Sequence, residues 1–291
     1  MLRLVLLFFV LMEFCLASQV APIKPLDYDR QKALLGKSLF HDTRLSPSGT
    51  DSCEKCHNLY WSPSGTSLKN IKISFKQTLN SPTVLNSALN YLFFKDGRVK
   101  NIREQVIESI VDINQLGSSE KLVVEKVSLN PHYKHKFKTL YKDGVTFNNI
   151  VDAIVNFQKA LLTPNSKFDK FISGDNTVLS EDEKKGFELF KKAGCINCHN
   201  GVNLGSNVYY DMQLDCNLDQ NSTGIAKYKV PGLRNISKTG PYLYDGSERD
   251  LKDVIEHIAN LRMQNEINKE QIELIYKFLL TLDGDNPEIL K

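Results

Sequence analysis

Cys53-Glu-Lys-Cys56-His57, repeated as Cys195-Ile-Asn-Cys198-His199, decides how the rest of this chain is read. Two thiols three positions apart can each form a thioether with a vinyl group of one haem, while the adjacent histidine offers its imidazole to the iron. One isolated copy would also suit half of a zinc site or a redox dithiol. Two copies change the balance, because a pooled four-thiolate zinc site leaves both histidines unexplained and a redox dithiol calls for neither. The pattern predicts two covalently attached c-type haems (haem c).

Attachment of this kind takes place outside the bacterial cytoplasm, and the start of the chain agrees. Residues 1–17 read as a secretory signal peptide: Arg3 is the charge, Leu4 to Leu11 the apolar run, and Cys15-Leu16-Ala17 a small-x-small cleavage site. The run is too short to span a bilayer comfortably, so the mature chain is expected in the periplasm with no membrane span. Glu13 near the end of the run is unusual, and an uncleaved anchor is the alternative. Phe14 before Cys15 argues against a lipoprotein site. Of the six cysteines, cleavage leaves the four haem thiols and Cys216, alone in a polar loop, so no structural disulfide is expected. With 291 residues, 41% of them hydrophobic, the chain suits one large or two medium domains. A net charge of +3 without a long basic run gives no basis for a nucleic-acid partner.

The chain is also internally duplicated. Gln31 to Phe40 precedes the first motif and Glu183 to Phe190 the second, each reading as a short amphipathic helix that feeds a haem loop; Ser180 and Glu183 fit a capping box. Pro82-Thr83-Val84-Leu85-Asn86 is answered by Pro231-Gly232-Leu233-Arg234-Asn235, and each is followed by an aromatic-rich stretch ending in Asp-Gly. From Pro82 to Asp96 and from Pro231 to Asp245 is the same 14 positions. Helical patterns follow from Ile102 to Ile110 and from Leu251 to Leu261, the second with Leu251, Val254, Ile255 and Ile258 on one face. Thr146 can cap a helix over 147–162 that stops before Pro164, and Asn268 can cap another that runs through Leu282. The expected fold class is mainly α, with two cytochrome-c-like haem domains in tandem and long loops. Their spans are 18–165 and 166–291, with the boundary in the turn-rich stretch 165–178.

Several segments resemble, in order and spacing, the bacterial di-haem cytochrome c peroxidases and their MauG-type relatives. They are Leu39-Phe40-His41-Asp42-Thr43-Arg44-Leu45-Ser46, Asn80-Ser81-Pro82-Thr83, Asp96-Gly97-Arg98, Leu162-Thr163-Pro164-Asn165-Ser166-Lys167-Phe168-Asp169 and Pro231-Gly232-Leu233-Arg234-Asn235. The resemblance covers nearly the whole mature chain. It implies a periplasmic peroxidase that reduces hydrogen peroxide to water, drawing electrons from a small cytochrome c or similar donor through the C-terminal haem to the N-terminal one. On this reading Cys53, Cys56 and His57 hold the peroxidatic haem, Cys195, Cys198 and His199 hold the electron-transfer haem, and His57 and His199 ligate iron. The family also implies a calcium ion between the domains with Asn80 among its ligands, and members that are often homodimers. On local preference alone, Asn80 reads equally as a turn-capping amide.

Departures from that family lie on the distal sides. No histidine occurs between His57 and His132, where many of these peroxidases have one that closes the peroxidatic haem; an open iron is expected, as in MauG-type relatives. Gln105 matches the distal glutamine, but Gln115 replaces the distal glutamate, and an amide positions peroxide without shuttling its proton. Glu108 and Asp112 are candidates to stand in, against an ordinary reading as solvated charges. Lys95 stands where a tryptophan commonly lies between the haems, and the only tryptophan is Trp61, four residues after His57. The sixth ligand expected at the second haem falls on Ile258, which leaves His257 as the candidate, with Met263 nearby. A histidine there would lower the haem potential relative to methionine. His132 and His135 read as exposed. Three functions stay open: the peroxidase, a MauG-type oxidoreductase acting on a protein or small molecule, and a non-catalytic di-haem electron carrier.

Overall fold

A computed structural model describes residues 20–59, 71–74, 77–212, 226–262 and 267–291. The expected signal peptide, Trp61, Cys216 and Met263 lie outside these residues. The N-terminal helices are α1 (Arg30–Phe40), α2 (Ile102–Val111), α3 (Glu120–Ser128), α4 (Pro131–Leu140) and α5 (Phe147–Lys159). The C-terminal ones are α6 (Lys167–Ile172), α7 (Glu181–Lys192), α8 (Leu251–Arg262) and α9 (Lys269–Leu280). Strands are confined, among the described residues, to two antiparallel hairpins, β1 (Ile71–Ser74) with β2 (Gln77–Leu79) and β3 (Tyr209–Met212) with β4 (Ala226–Lys229). The protein is mainly α, with tandem helical domains.

Local chemistry starts the helices. Thr146 accepts the Asn149 N–H, while Ser180 with Glu183 and Asn268 with Gln271 close capping boxes; a good cap contributes about 1 kcal/mol. Two helix ends fall short of the sequence expectation, and for one reason. α5 ends at Lys159 instead of 162, which turns the Leu161 carbonyl toward the Asn86 N–H at 2.9 Å. α9 ends at Leu280 instead of 282, and the Leu282 carbonyl accepts the Asn235 N–H at 3.2 Å.

α1 crosses α5 at Gly36, where a Cβ would collide with the Ala153 carbonyl and the Phe157 side chain. Around this crossing a first core gathers Leu35, Leu39, Val106, Ile110, Phe137, Ile150 and Ile154. α7 crosses α9 in the same way at Gly186, against the Leu274 carbonyl and Phe278, beside a second core that includes Phe168, Phe187, Phe190, Ile272 and Ile275.

Thr163 joins the two. Asn86 and Asn235 occupy the same place in the repeat, both are left-handed at φ 59° and 60°, and both donate from Nδ2 to Thr163 Oγ1, at 2.7 and 2.8 Å. Their Oδ1 atoms accept backbone N–H groups that also correspond, from Thr163 at 2.8 Å and Gly284 at 3.1 Å. One residue earlier the repeats differ. Leu85 is an apolar core residue, whereas Arg234, only 2% exposed, pairs with buried Asp169 at 2.8 Å and donates to the Val202 and Ala21 carbonyls.

Candidate haem sites

Each Cys-x-x-Cys-His motif folds into one tight turn. Cys53–Cys56 form a single α-turn capped by Ser52, and Gly194, left-handed at φ 78°, opens the 3-10 turn Cys195–Asn197. The turn carries the histidine backbone over the first thiol: His57 N–H donates to Cys53 O at 2.9 Å, and His199 N–H to Cys195 O at 2.8 Å. Both rings are then aimed from behind. His57 Nδ1 donates to the Pro82 carbonyl at 2.9 Å, and His199 Nδ1 lies 3.3 Å from the Leu204 carbonyl with the Pro231 carbonyl as a further partner. Pro82 and Pro231 are matching positions of the repeat. A proton fixed on Nδ1 sets the tautomer in which Nε2 is the basic nitrogen, the one able to ligate a metal.

Electrostatics suit the same use. Burial pushes His199 down to about 4, so its imidazole is neutral at pH 7. The four cysteines are free thiols, and burial raises Cys53 to about 12 and Cys195 to about 11. Among the described residues no three His, Cys, Asp or Glu side chains converge into a metal site, so the two thiol pairs do not pool into a zinc centre. Paired free thiols with an oriented, neutral imidazole fit haem c at the second site, and the first repeats the thiol pair and the Nδ1 anchor.

Of the residues expected on the distal side of the first site, Gln105 of α2 is half-buried. Its Nε2 donates to Ser109 Oγ at 2.7 Å, and its Oε1 accepts from Gln158 of α5 at 3.3 Å. Gln115 sits on the exposed turn after α2 and donates to Asp112 Oδ2 at 3.5 Å. Glu108 and Asp112, the candidate substitutes for the missing glutamate, both bind Arg98, at 2.8 and 3.4 Å, and Arg98 also holds Asp96 and stacks on Phe94. The Asn114 backbone N–H, with help from Gln115 and Arg98, holds the Asp112 carboxyl below the usual carboxylate range. An amide and an ionised carboxylate therefore stand side by side where one glutamate was expected. In the C-terminal domain, His257 is exposed on α8 and Ile258 is half-buried.

Between the domains, Asn80 binds three backbone groups of one segment: its N–H donates to Tyr244 O at 3.0 Å, and its Nδ2 to Pro241 O at 2.6 Å and Leu243 O at 3.3 Å. Its Oδ1 is buried and makes no hydrogen bond with the described residues. Lys95, in the expected tryptophan position, lies with Nζ 3.5 Å over the Tyr244 ring, which meets Tyr228 edge-on at 4.7 Å.

Known proteins show the same two-part arrangement. The family model for di-haem cytochrome c peroxidase matches residues 30–177, and the cytochrome c model matches residues 183–283. A cytochrome c551 peroxidase of Nitrosomonas europaea is 37% identical over 92% of this chain and 85% of its own length. The chain belongs to the di-haem cytochrome c peroxidase family. This peroxidase-like oxidoreductase is also similar to a methylamine utilization protein MauG of Methylophilus methylotrophus, 32% identical over 87% of the chain and 83% of that protein. Its fold matches that of a MauG-like protein associated with microbial copper homeostasis, with a TM-score of 0.76 at 22% identity, over 93% of this chain and 94% of the other.

Within this di-haem peroxidase fold, several residues that sequence reasoning missed shape the sites. The Pro82 and Pro231 carbonyls were readable as a repeat but not as partners of the histidines. Gln158 came without a signal, as one polar residue in the apolar α5. Lys229, in a hairpin the sequence reading did not anticipate, was likewise unmarked.

Proposed function

We propose that the chain carries two haems c, on Cys53, Cys56 and His57 and on Cys195, Cys198 and His199, and reduces hydrogen peroxide to water with electrons from a small c-type cytochrome in the periplasm. The observation that carries this reading is the doubled proximal geometry, in which each histidine after a thiol pair has Nδ1 tied to backbone carbonyl. We place the domain boundary at the turn between Leu162 and Ser166, and the periplasmic location rests on the apolar leader at 1–17. Asn80 Oδ1, buried without a partner, fits a calcium ligand at the junction.

Bound haem would relay the donor's electrons and offer iron to the peroxide. The protein supplies orientation and proton handling. Pro82 holds the His57 ring through Nδ1, so that Nε2 would be the nitrogen to ligate haem iron. Gln105, braced by Ser109 and Gln158, and Gln115 offer amides to the peroxide oxygens. Asp112, beside Gln115, takes the proton from one peroxide oxygen and returns it to the other as the O–O bond breaks, so that two electrons and two further protons yield two waters.

Mixing the purified protein with hydrogen peroxide, with and without reduced cytochrome c, tests this. Rapid donor oxidation is expected. The absence of a histidine between His57 and His132 favours a second reading, MauG-type oxidation of another substrate, which predicts a long-lived oxidised haem spectrum without donor turnover. No reaction with peroxide in any redox state would sink both.

A further inference from the structure

Two arginines near the domain junction are neutralised within the protein. Arg98 is bound by Asp96, Glu108 and Asp112, and Arg234 by Asp169. Lys95 and Lys229 differ. Lys95 Nζ lies over the Tyr244 ring and feels Asp96 only at longer range. Lys229 Nζ finds Ser206 Oγ at 3.3 Å, a neutral group. Among the described residues neither amine has a carboxylate in ion-pair contact. The two come from different domains yet are joined at the backbone, Lys229 N–H donating to Lys95 O at 2.6 Å. Burial lowers Lys95 to about 7 and Lys229 to about 8. Desolvating a cation without a counter-charge is costly, and a protein that leaves two amines so placed fits an anionic ligand there.

The position of the amines identifies the anion. Lys229 lies two residues before Pro231, a carbonyl partner of His199, and its acceptor Ser206 lies two residues after Leu204, the other partner. Leu92, three residues before Lys95, donates its N–H to the Ser206 carbonyl at 3.0 Å. Both lysines therefore border the loop that holds the second proximal histidine. A haem attached through its vinyl edge to Cys195 and Cys198 carries its only negative groups, the propionate carboxylates, on another edge. We infer that Lys95 and Lys229 together seat a propionate of the C-terminal haem, so that the N-terminal domain lends a charge to its neighbour's cofactor. This rests on the two-haem reading above.

The test uses the mature holoprotein, with haem content measured first. Fewer than two haems per chain would refute the two-haem reading itself, before any variant is compared. Lys95→Met and Lys229→Met are each expected to lower the midpoint potential of the C-terminal haem, because a nearby cation favours the ferrous state, which carries one positive charge fewer. Each should also shift the propionate bending mode in the resonance Raman spectrum, while Lys95→Arg and Lys229→Arg keep both signals near wild type. Should a Met variant fail to mature, Lys→Gln at the same position is read instead. Unchanged potential and mode in the charge-removing variants, with two haems bound, would overturn the inference. So would a wild-type response to added phosphate or chloride that mimics the variants, since a diffusible anion would then be the occupant.

Discussion

Gly36 lets α1 meet the Ala153 carbonyl of α5, and Gly186 lets α7 meet the Leu274 carbonyl of α9. The two domains repeat one helix crossing, and behind each thiol pair they repeat one histidine held through Nδ1 by backbone. They part at Leu85 and Arg234, one apolar and one a buried cation. They part again after the Asp-Gly turns, where the first domain has Gln105, Gln115 and the carboxylates around Arg98, and the second has half-buried Ile258 with exposed His257. The duplication survives where helices touch and where a ligand must be aimed, both of which have few steric solutions. It lapses at residues free of those constraints.

The largest effect should come from the crossings. Gly36→Val and Gly186→Val each drive a side chain into a backbone carbonyl of the facing helix, which cannot swing aside. Overpacking costs about 1–3 kcal/mol where side chains can yield, and more is expected here. Either variant should lose its cooperative circular-dichroism melt, and a wild-type melt for one alone would show that the crossings are not equivalent.

Arg234→Leu gives the second repeat the residue of the first. It leaves Asp169 buried and unpaired, so chemical denaturation should show a loss of about 3–5 kcal/mol. Adding Asp169→Leu should recover most of it. If the double variant recovers nothing, the bonds of Arg234 to Val202 and Ala21 matter more than the ion pair.

Gln115→Glu restores a carboxylate next to Asp112. General acid–base catalysis is worth about 10²–10⁴-fold, and a gain of about tenfold or more in donor-dependent peroxide turnover is expected by stopped flow. An unchanged rate would mean that Asp112 already handles the proton fully.

Thr163→Val strikes both domains at once, leaving the Asn86 and Asn235 amides without their shared acceptor. The expected cost is about 1–3 kcal/mol. Hydrogen exchange should quicken in α5 and α9 together; quickening in only one would argue against a joint role.

The smallest effect concerns acid. Asp112 is held below the usual carboxylate range by the Asn114 N–H. Because the unfolded chain takes up this proton first as pH falls, the contribution is complete above about pH 4 and vanishes as pH drops through the lower folded value. Asp112→Asn should flatten that part of a pH–stability curve, and an identical acid limb would contradict the assignment.

Much of this was readable along the chain. Caps such as Thr146 and Ser180 act on residues three positions away, so helix starts follow from local sequence. α3 and α4 were harder to read: each buries only two side chains, Val123 and Val127 in one and Tyr133 and Phe137 in the other, within charged surroundings. Lys95 could be read only as a missing tryptophan, because nothing near it announces that Tyr244 and Lys229 come to meet it.

The linear order of residues was sufficient for the attachment motifs and the repeat, because a thioether pair and its histidine close within five residues and the repeat is a matter of spacing. Folding in three dimensions settled where the helices end, how the histidines are aimed, and that one threonine serves both repeats. Those outcomes depend on partners 77 and 72 positions from Thr163 and 25 positions from His57, and no local spacing encodes such meetings.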